Sequence, residues 1–307
     1  MAEHTATYSK IISPEEYNRI MTDEHLYIAI ADKLIKDFVE KEVTGKVNPE
    51  IVEIGCGPVR ITPLFLQTPN INLTAVDYDL DFINHAKKIL EPYNSRVTVI
   101  NADVSTYVHP NPVDVFYSQG FHHHVQKGKV TEKYLKNIYN QLKENGAYVI
   151  GDENPADYSN PEDRLIKLIV WYSHIISNAK RSGFNYLAQE EAKTLLDDLY
   201  ENYDEEAVKS NEQIDLVLSW VDKIDEASSE KIFKATFLAE NLLEILRKKR
   251  NIKEVGDTTV DLSRGDYKIS DSEFRKEVEG IGFKVEKVER IGPAKAVGGL
   301  YVYLLRK

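Results

Sequence analysis

Ile51-Val52-Glu53-Ile54-Gly55-Cys56-Gly57-Pro58 reads as a short apolar strand that runs into a tight turn built on two glycines. Glycine there permits backbone conformations closed to other residues and lets a ligand come close to the main chain. Further apolar strands follow at 72–76, 97–100, 113–117 and 147–150, with helical stretches between them. Such alternation predicts an α/β protein with a parallel sheet and helices on both of its faces. Sheets of this kind gather ligands beyond the carboxyl ends of their strands, so the loops there are the places to search.

Three of those strand ends carry a signal. A dinucleotide fingerprint would need glycine or alanine at position 60, where the chain has Arg60, a side chain suited to pairing with a carboxylate. The second strand closes on Val76-Asp77, 22 positions beyond Gly55, which sets a carboxylate where two ribose hydroxyls can donate to it. The third closes on Asn101-Ala102-Asp103-Val104. Taken together, over roughly residues 49–151, these motifs resemble the class I S-adenosylmethionine-dependent methyltransferase superfamily. The resemblance implies a doubly wound, mostly parallel seven-stranded sheet, with S-adenosylmethionine as cofactor and S-adenosylhomocysteine as product. It also implies that the Gly55, Cys56, Gly57 turn lies along the methionine part and that Glu53 orients the methionine ammonium. Asp77 would take the ribose, with Tyr78 beside it a further cofactor residue, and Asp103 and Val104 would take the adenine. Ser118 and Gln119, at the end of the fourth strand, complete the candidate cofactor residues.

Beyond Gln119 the chain reads Gly120-Phe121-His122-His123-His124-Val125, a loop that in the family lies beside the transferring methyl group. Methyl transfer is an in-line displacement, so the protein positions a nucleophile and, where needed, takes its proton. Histidine suits that task near neutral pH. Three adjacent histidines cannot all face one point. His122 and His123, first after the turn, are the candidate catalytic residues, and His124 is expected to pack or cap. Glu153, in Gly151-Asp152-Glu153-Asn154 at the end of the fifth strand, is a third candidate, able to act as a base or hold a substrate amine. A metal reading would gather His122 and His124 with Asp152, Glu153 or His174, to hold the enolate of a keto acid for C-methylation. Consecutive histidines have no metal spacing of their own, and no metal site is assigned.

The remainder frames this core. Residues 1–46 read as helices covering the cofactor site: Ser13 caps a helix opening at Pro14, a second helix begins near Thr22, and Leu26, Ile30, Leu34, Ile35 and Phe38 form its apolar face. Tyr8 or Tyr17 is placed to touch the cofactor carboxylate. The Rossmann-like core takes residues 47–154 and 266–307, the latter closing with a helix at 271–279 and strands at 283–289 and 300–305. Between them, 155–265 has helical periodicity alone and reads as an insertion capping the substrate, with stripes opening at Leu165, Ala188 and Ile214. Trp171, Tyr172, His174 and Tyr186 are candidates to line its pocket.

Composition narrows the partners. A net charge of −11 disfavours nucleic acid, and the one dense basic run, 247–250, suits the end of a helix. One cysteine among 307 residues fits a reducing, cytoplasmic setting without disulfides, and no apolar run is long enough to span a bilayer. The expected function is methylation of a small molecule at oxygen, nitrogen or carbon, by a chain that could form a homodimer. The competing expectation is a protein that binds S-adenosylmethionine without transferring its methyl group.

Overall fold

A computed structural model of the chain describes residues 9, 13–19, 21–22, 27–66, 71–125, 128–160, 167, 171, 267–292, 295 and 298–307. Seven strands form one sheet: β1 (Glu50–Ile54), β2 (Asn72–Asp77), β3 (Val97–Asn101), β4 (Val113–Gln119), β5 (Leu142–Pro155), β6 (Lys284–Ile291) and β7 (Gly298–Arg306). They hydrogen-bond in the order β3-β2-β1-β4-β5-β7-β6. The central strand β1 pairs in parallel with β2 on one side and β4 on the other, so the winding reverses there. Ligands of doubly wound sheets bind at such a reversal.

Strand residues alternate between two cores. Ile51, Val115, Tyr117 and Val149 face one side, where α2 (Ile28–Val43) lays down Ala31, Ile35 and Val39. Val52, Phe116, Tyr148 and Ile150 face the other, covered by Tyr134, Leu135 and Ile138 of α5 (Lys129–Gln141) and by Phe274 and Val278 of α6 (Asp271–Ile281). Burial on both faces is why these strands read as nearly unbroken apolar runs. α1 (Pro14–Arg19), α3 (Thr62–Phe65) and α4 (Leu80–Leu90) complete the described helices.

Two expectations change. The sheet is mixed rather than mostly parallel, because β7 pairs antiparallel with both β5 and β6. Only six residues separate Ile291 from Gly298, and a parallel neighbour needs a crossover of about a dozen or more. The buried stripe of α2 is Ile28, Ala31, Ile35, Phe38 and Val39, which leaves Ile30 48% exposed. The expected cap at 155–265 lies outside the described residues beyond Asn160, save Lys167 and Trp171. Trp171 is fully buried and stacks on Tyr27 with ring centroids 6.2 Å apart. Tyr8, Tyr172, His174 and Tyr186 also lie outside. Among the described residues no helix is long and apolar enough to cross a membrane.

Candidate active site

The turn after β1 carries left-handed backbone at three alternate positions, Gly55 (φ +62), Gly57 (φ +51) and Val59 (φ +55). The two glycines serve different ends. A β-carbon on Gly55 would run into the Phe121 ring, so a side chain rather than a ligand makes the close approach there; at Gly57 the nearest atom would be Phe82 Cδ2, 3.8 Å away. The Gly57 N–H donates to Asp77 Oδ2 at 2.8 Å, and the Asp79 N–H donates to Asp77 Oδ1 at 2.9 Å. The ribose candidate is therefore fixed by main chain on both oxygens. Burial pushes its pKa up to about 6.

Glu53 lies one strand over and is also buried. It accepts hydrogen bonds from Thr62 Oγ1 and, at 2.8 Å, from Tyr117 Oη, yet burial still pushes it up to about 7. Two carboxylates thus share a poorly solvated seat, a setting that favours a cation beside them. Cys56 is buried between them, its thiol pushed well up by burial first and then by Asp77 and Glu53, which makes it inert.

Asp79 caps α4 by accepting from the N–H groups of Asp81 and Phe82. Asn101 Nδ2 donates to the carbonyls of Asp77 and Tyr78, tying β3 to the loop after β2. Tyr78 keeps its ring 41% exposed. Asp103 turns the chain after β3, with Oδ1 accepting the Ser105 N–H at 2.8 Å, and the Val104 carbonyl accepts from Asn137. Ser118 faces the second core, its hydroxyl 2.9 Å from Tyr148 Oη. Gln119 folds over Gly151, and its carbonyl oxygen is buried without a hydrogen-bond partner among the described residues.

The histidines separate. His122 lies between Tyr134 Oη at Nδ1 and Glu277 Oε2 at Nε2 (3.0 Å), edge-on to Phe274. Since a carboxylate only accepts, Nε2–H donates to Glu277, and the neutral ring's lone pair on Nδ1 takes the Tyr134 hydroxyl. His122 is thereby a core link between α5 and α6. His123 is buried against Asp152, and His124 packs its ring on His123 with centroids 4.0 Å apart. Glu153 is buried with Lys268, whose Nζ lies 3.3 Å from Glu153 Oε2 with its side chain 1% exposed. Among the described residues no group of three or more His, Cys, Asp or Glu is placed to hold a metal. The ligand set imagined for one is divided, because His122 turns to Glu277 while Asp152 takes His123.

Sequence reasoning missed Lys268, whose partner is 115 positions away, and Asp152 as the orienter of His123. It also left Arg60 without a partner; Asp32 of α2 forms an ion pair with it. Tyr17 of α1 packs on Phe82, and burial raises its phenol, with Arg60, Asp77 and Glu153 in its field. α1 therefore lies over both the glycine turn and the β5 rim.

Residues 51–146 match a family model described as a methyltransferase domain. No curated protein matches the sequence. Among solved structures, the chain is similar to an S-adenosylmethionine-dependent methyltransferase from Clostridium acetobutylicum, at 11% identity and TM-score 0.53, over 95% of this chain and 96% of that one. It is also similar to a 1,6-didemethyltoxoflavin-N1-methyltransferase from Burkholderia thailandensis with bound 1,6-didemethyltoxoflavin and S-adenosylhomocysteine, at 12% identity and TM-score 0.50, over 100% and 93%. A mitomycin 7-O-methyltransferase matches at 14% identity and TM-score 0.50, over 95% of this chain but 57% of that protein, so the chain spans little more than half its length. At such identities the likeness shows the fold.

Proposed function

We propose that the chain is a class I S-adenosylmethionine-dependent methyltransferase, whose domain at residues 51–146 takes S-adenosylmethionine as cofactor, and that the acceptor is a small molecule held at the β4 and β5 ends. The observation that carries this is Asp77, pinned by the Gly57 and Asp79 amides beside the open face of Gly57. Main-chain N–H groups of Gly57, Asp79 and Tyr78 donate to its carboxylate, and two carboxylate oxygens offer about four lone-pair sites, so capacity for a ribose hydroxyl remains. The buried carboxylates of Glu53 and Asp77 suit a ligand bearing sulfonium and ammonium charges. Gln119 supplies a buried acceptor oxygen for an ammonium N–H. Asp103 and Val104, just past the end of β3, continue the same row of strand ends and would take the adenine. When bound, S-adenosylmethionine supplies an electrophilic methyl carbon whose bond to sulfur breaks, with the electron pair staying on sulfur. The chain's part is to hold that carbon in line with the acceptor and to exclude water. Small-molecule acceptors of the toxoflavin and mitomycin neighbours, together with the acidic composition, support this acceptor class.

Calorimetric titration with S-adenosylmethionine and S-adenosylhomocysteine tests the seat. Wild type should bind both, and Asp77→Ala should lose at least about tenfold in affinity, some 1.4 kcal/mol or more. A folded wild type that binds neither ligand would remove the assignment. Binding without any product gaining a methyl group would favour the non-transferring reading.

A further inference from the structure

Asp152 holds His123 at two points. Its Oδ2 accepts the His123 backbone N–H at 2.8 Å, and its Oδ1 pairs with the ring Nδ1. A carboxylate has no proton to give, so Nδ1 carries the hydrogen and, in the neutral ring, the lone pair sits on Nε2. The ring is 4% exposed and lies beside Gly120, its Cε1 3.8 Å from where a β-carbon there would stand. That places it just past the carboxyl end of β4, next to the β5 rim. The Tyr267 N–H donates to the His123 carbonyl at 2.6 Å, fixing the residue from the side of α6.

We infer that His123, oriented by Asp152, is the general base of the methyl transfer, and that the acceptor group is a hydroxyl of phenol or enol type. This rests on the methyl-transfer reading above. The other candidates are occupied. His122 gives Nε2–H to Glu277 and takes Tyr134 on Nδ1, and Glu153 faces the ammonium of Lys268. Around the pair are Glu153, whose N–H donates to Asp152 Oδ1 at 2.9 Å and whose carboxylate faces Lys268, the His124 ring, and the Tyr134 and Tyr148 phenols, which lie in the field of Asp152. An amine attacks through a lone pair it already owns. A phenol, with a pKa near 10, is almost wholly protonated at pH 7 and gains most from a base. As the O–C bond forms and the C–S bond breaks, the sulfur keeps the C–S electron pair. The hydroxyl proton passes to His123 Nε2, and Asp152 stabilises the imidazolium.

The full chain, saturated with S-adenosylhomocysteine and labelled with 15N-histidine, reports the tautomer by NMR. The expected spectrum shows His123 as the Nδ1–H form, lost in Asp152→Asn, with S-adenosylhomocysteine affinity kept within about threefold. An Nε2–H tautomer in wild type overturns the pair, as does a loss of affinity in Asp152→Asn equal to that in Asp77→Ala. Failure of wild type to bind S-adenosylhomocysteine is a separate result, which removes the methyltransferase reading instead. Turnover of a pool of phenols, enols and amines, read by mass, tests the acceptor. O-methyl products are expected, with kcat about a hundredfold lower in Asp152→Asn and His123→Asn and a wild-type rate that falls toward acid pH. N-methyl products alone, formed as fast by Asp152→Asn, would overturn the acceptor class.

Discussion

At Gly57 the backbone is left-handed and the space where a side chain would stand is open, whereas at Gly55 that space holds the Phe121 ring. The two glycines should therefore respond differently to alanine. Gly57→Ala bears only the left-handed penalty of about 1–2 kcal/mol, a fall in Tm of roughly 2–6 °C. Gly55→Ala must also displace Phe121 from its packing against Tyr134, where the ring centroids are 5.6 Å apart. It should unfold at a lower temperature than Gly57→Ala, and thermal unfolding of the two variants side by side decides this. Equal Tm values would mean that Phe121 moves aside freely. Neighbouring residues of one type can thus answer to different constraints, one to a core contact and the other to a turn beside a carboxylate.

Among the elements, β7 is joined to its surroundings by Arg306. Its Nη1 and Nη2 donate to the Glu42 carboxylate of α2 at 2.5 and 2.8 Å, its Nε donates to Glu286 of β6 at 2.7 Å, and Nη1 also reaches the Asn145 carbonyl. Arg306→Met keeps the apolar stem and removes the fork. A loss of about 1–2 kcal/mol is expected for a two-pronged pair that is still in reach of water, measured by urea unfolding. Strands β1 to β4 and the helix opening at Asp271 could be read from sequence because apolar runs and helical stretches are local patterns. Only the middle of β5 could be read that way. Its end, Gly151-Asp152-Glu153-Asn154-Pro155, is polar and looks like a loop, and pairing with β7 from Gly151↔Val302 to Pro155↔Gly298 makes it strand. The candidate site divides the same way. Glu53, Gly57 and Asp77 follow one another along two adjacent strands, so spacing marks them, whereas His122 finds Glu277 155 positions away and Glu153 finds Lys268 through topology alone.

For the whole molecule, the seat of buried carboxylates makes stability depend on pH. Asp77 rises from 3.8 to about 6 and Glu53 from 4.5 to about 7, each chiefly through burial. Between roughly pH 4 and 7 the folded chain therefore holds protons that the unfolded chain has released, and stability falls as pH rises through that window. The penalty is absent below the unfolded values and complete above the folded ones. Asp114, whose pKa is lowered in the fold where Lys143 and Lys46 bind it, acts oppositely but only at more acid pH. A Tm series in the ligand-free protein should decline from pH 5 to 8, with a shallower decline in Asp77→Asn. A Tm that rises across that range would show the two carboxylates to be well solvated.

The pairing of β5 with β7 also bears on the order of synthesis. Pro155 ends β5 and Gly298 begins β7, so about 140 residues must leave the ribosome before the polar end of β5 meets its partner. At ordinary elongation rates that is roughly 7–30 s. For that interval β5 is an open sheet edge, with unpaired amides and carbonyls able to recruit strands from other nascent chains. Its middle, Ala147 to Ile150, is apolar, but its tip bears Asp152 and Glu153, and like charges on such tips repel one another. The two acids that serve the rim of the finished protein would thus also guard the unfinished one against aggregation.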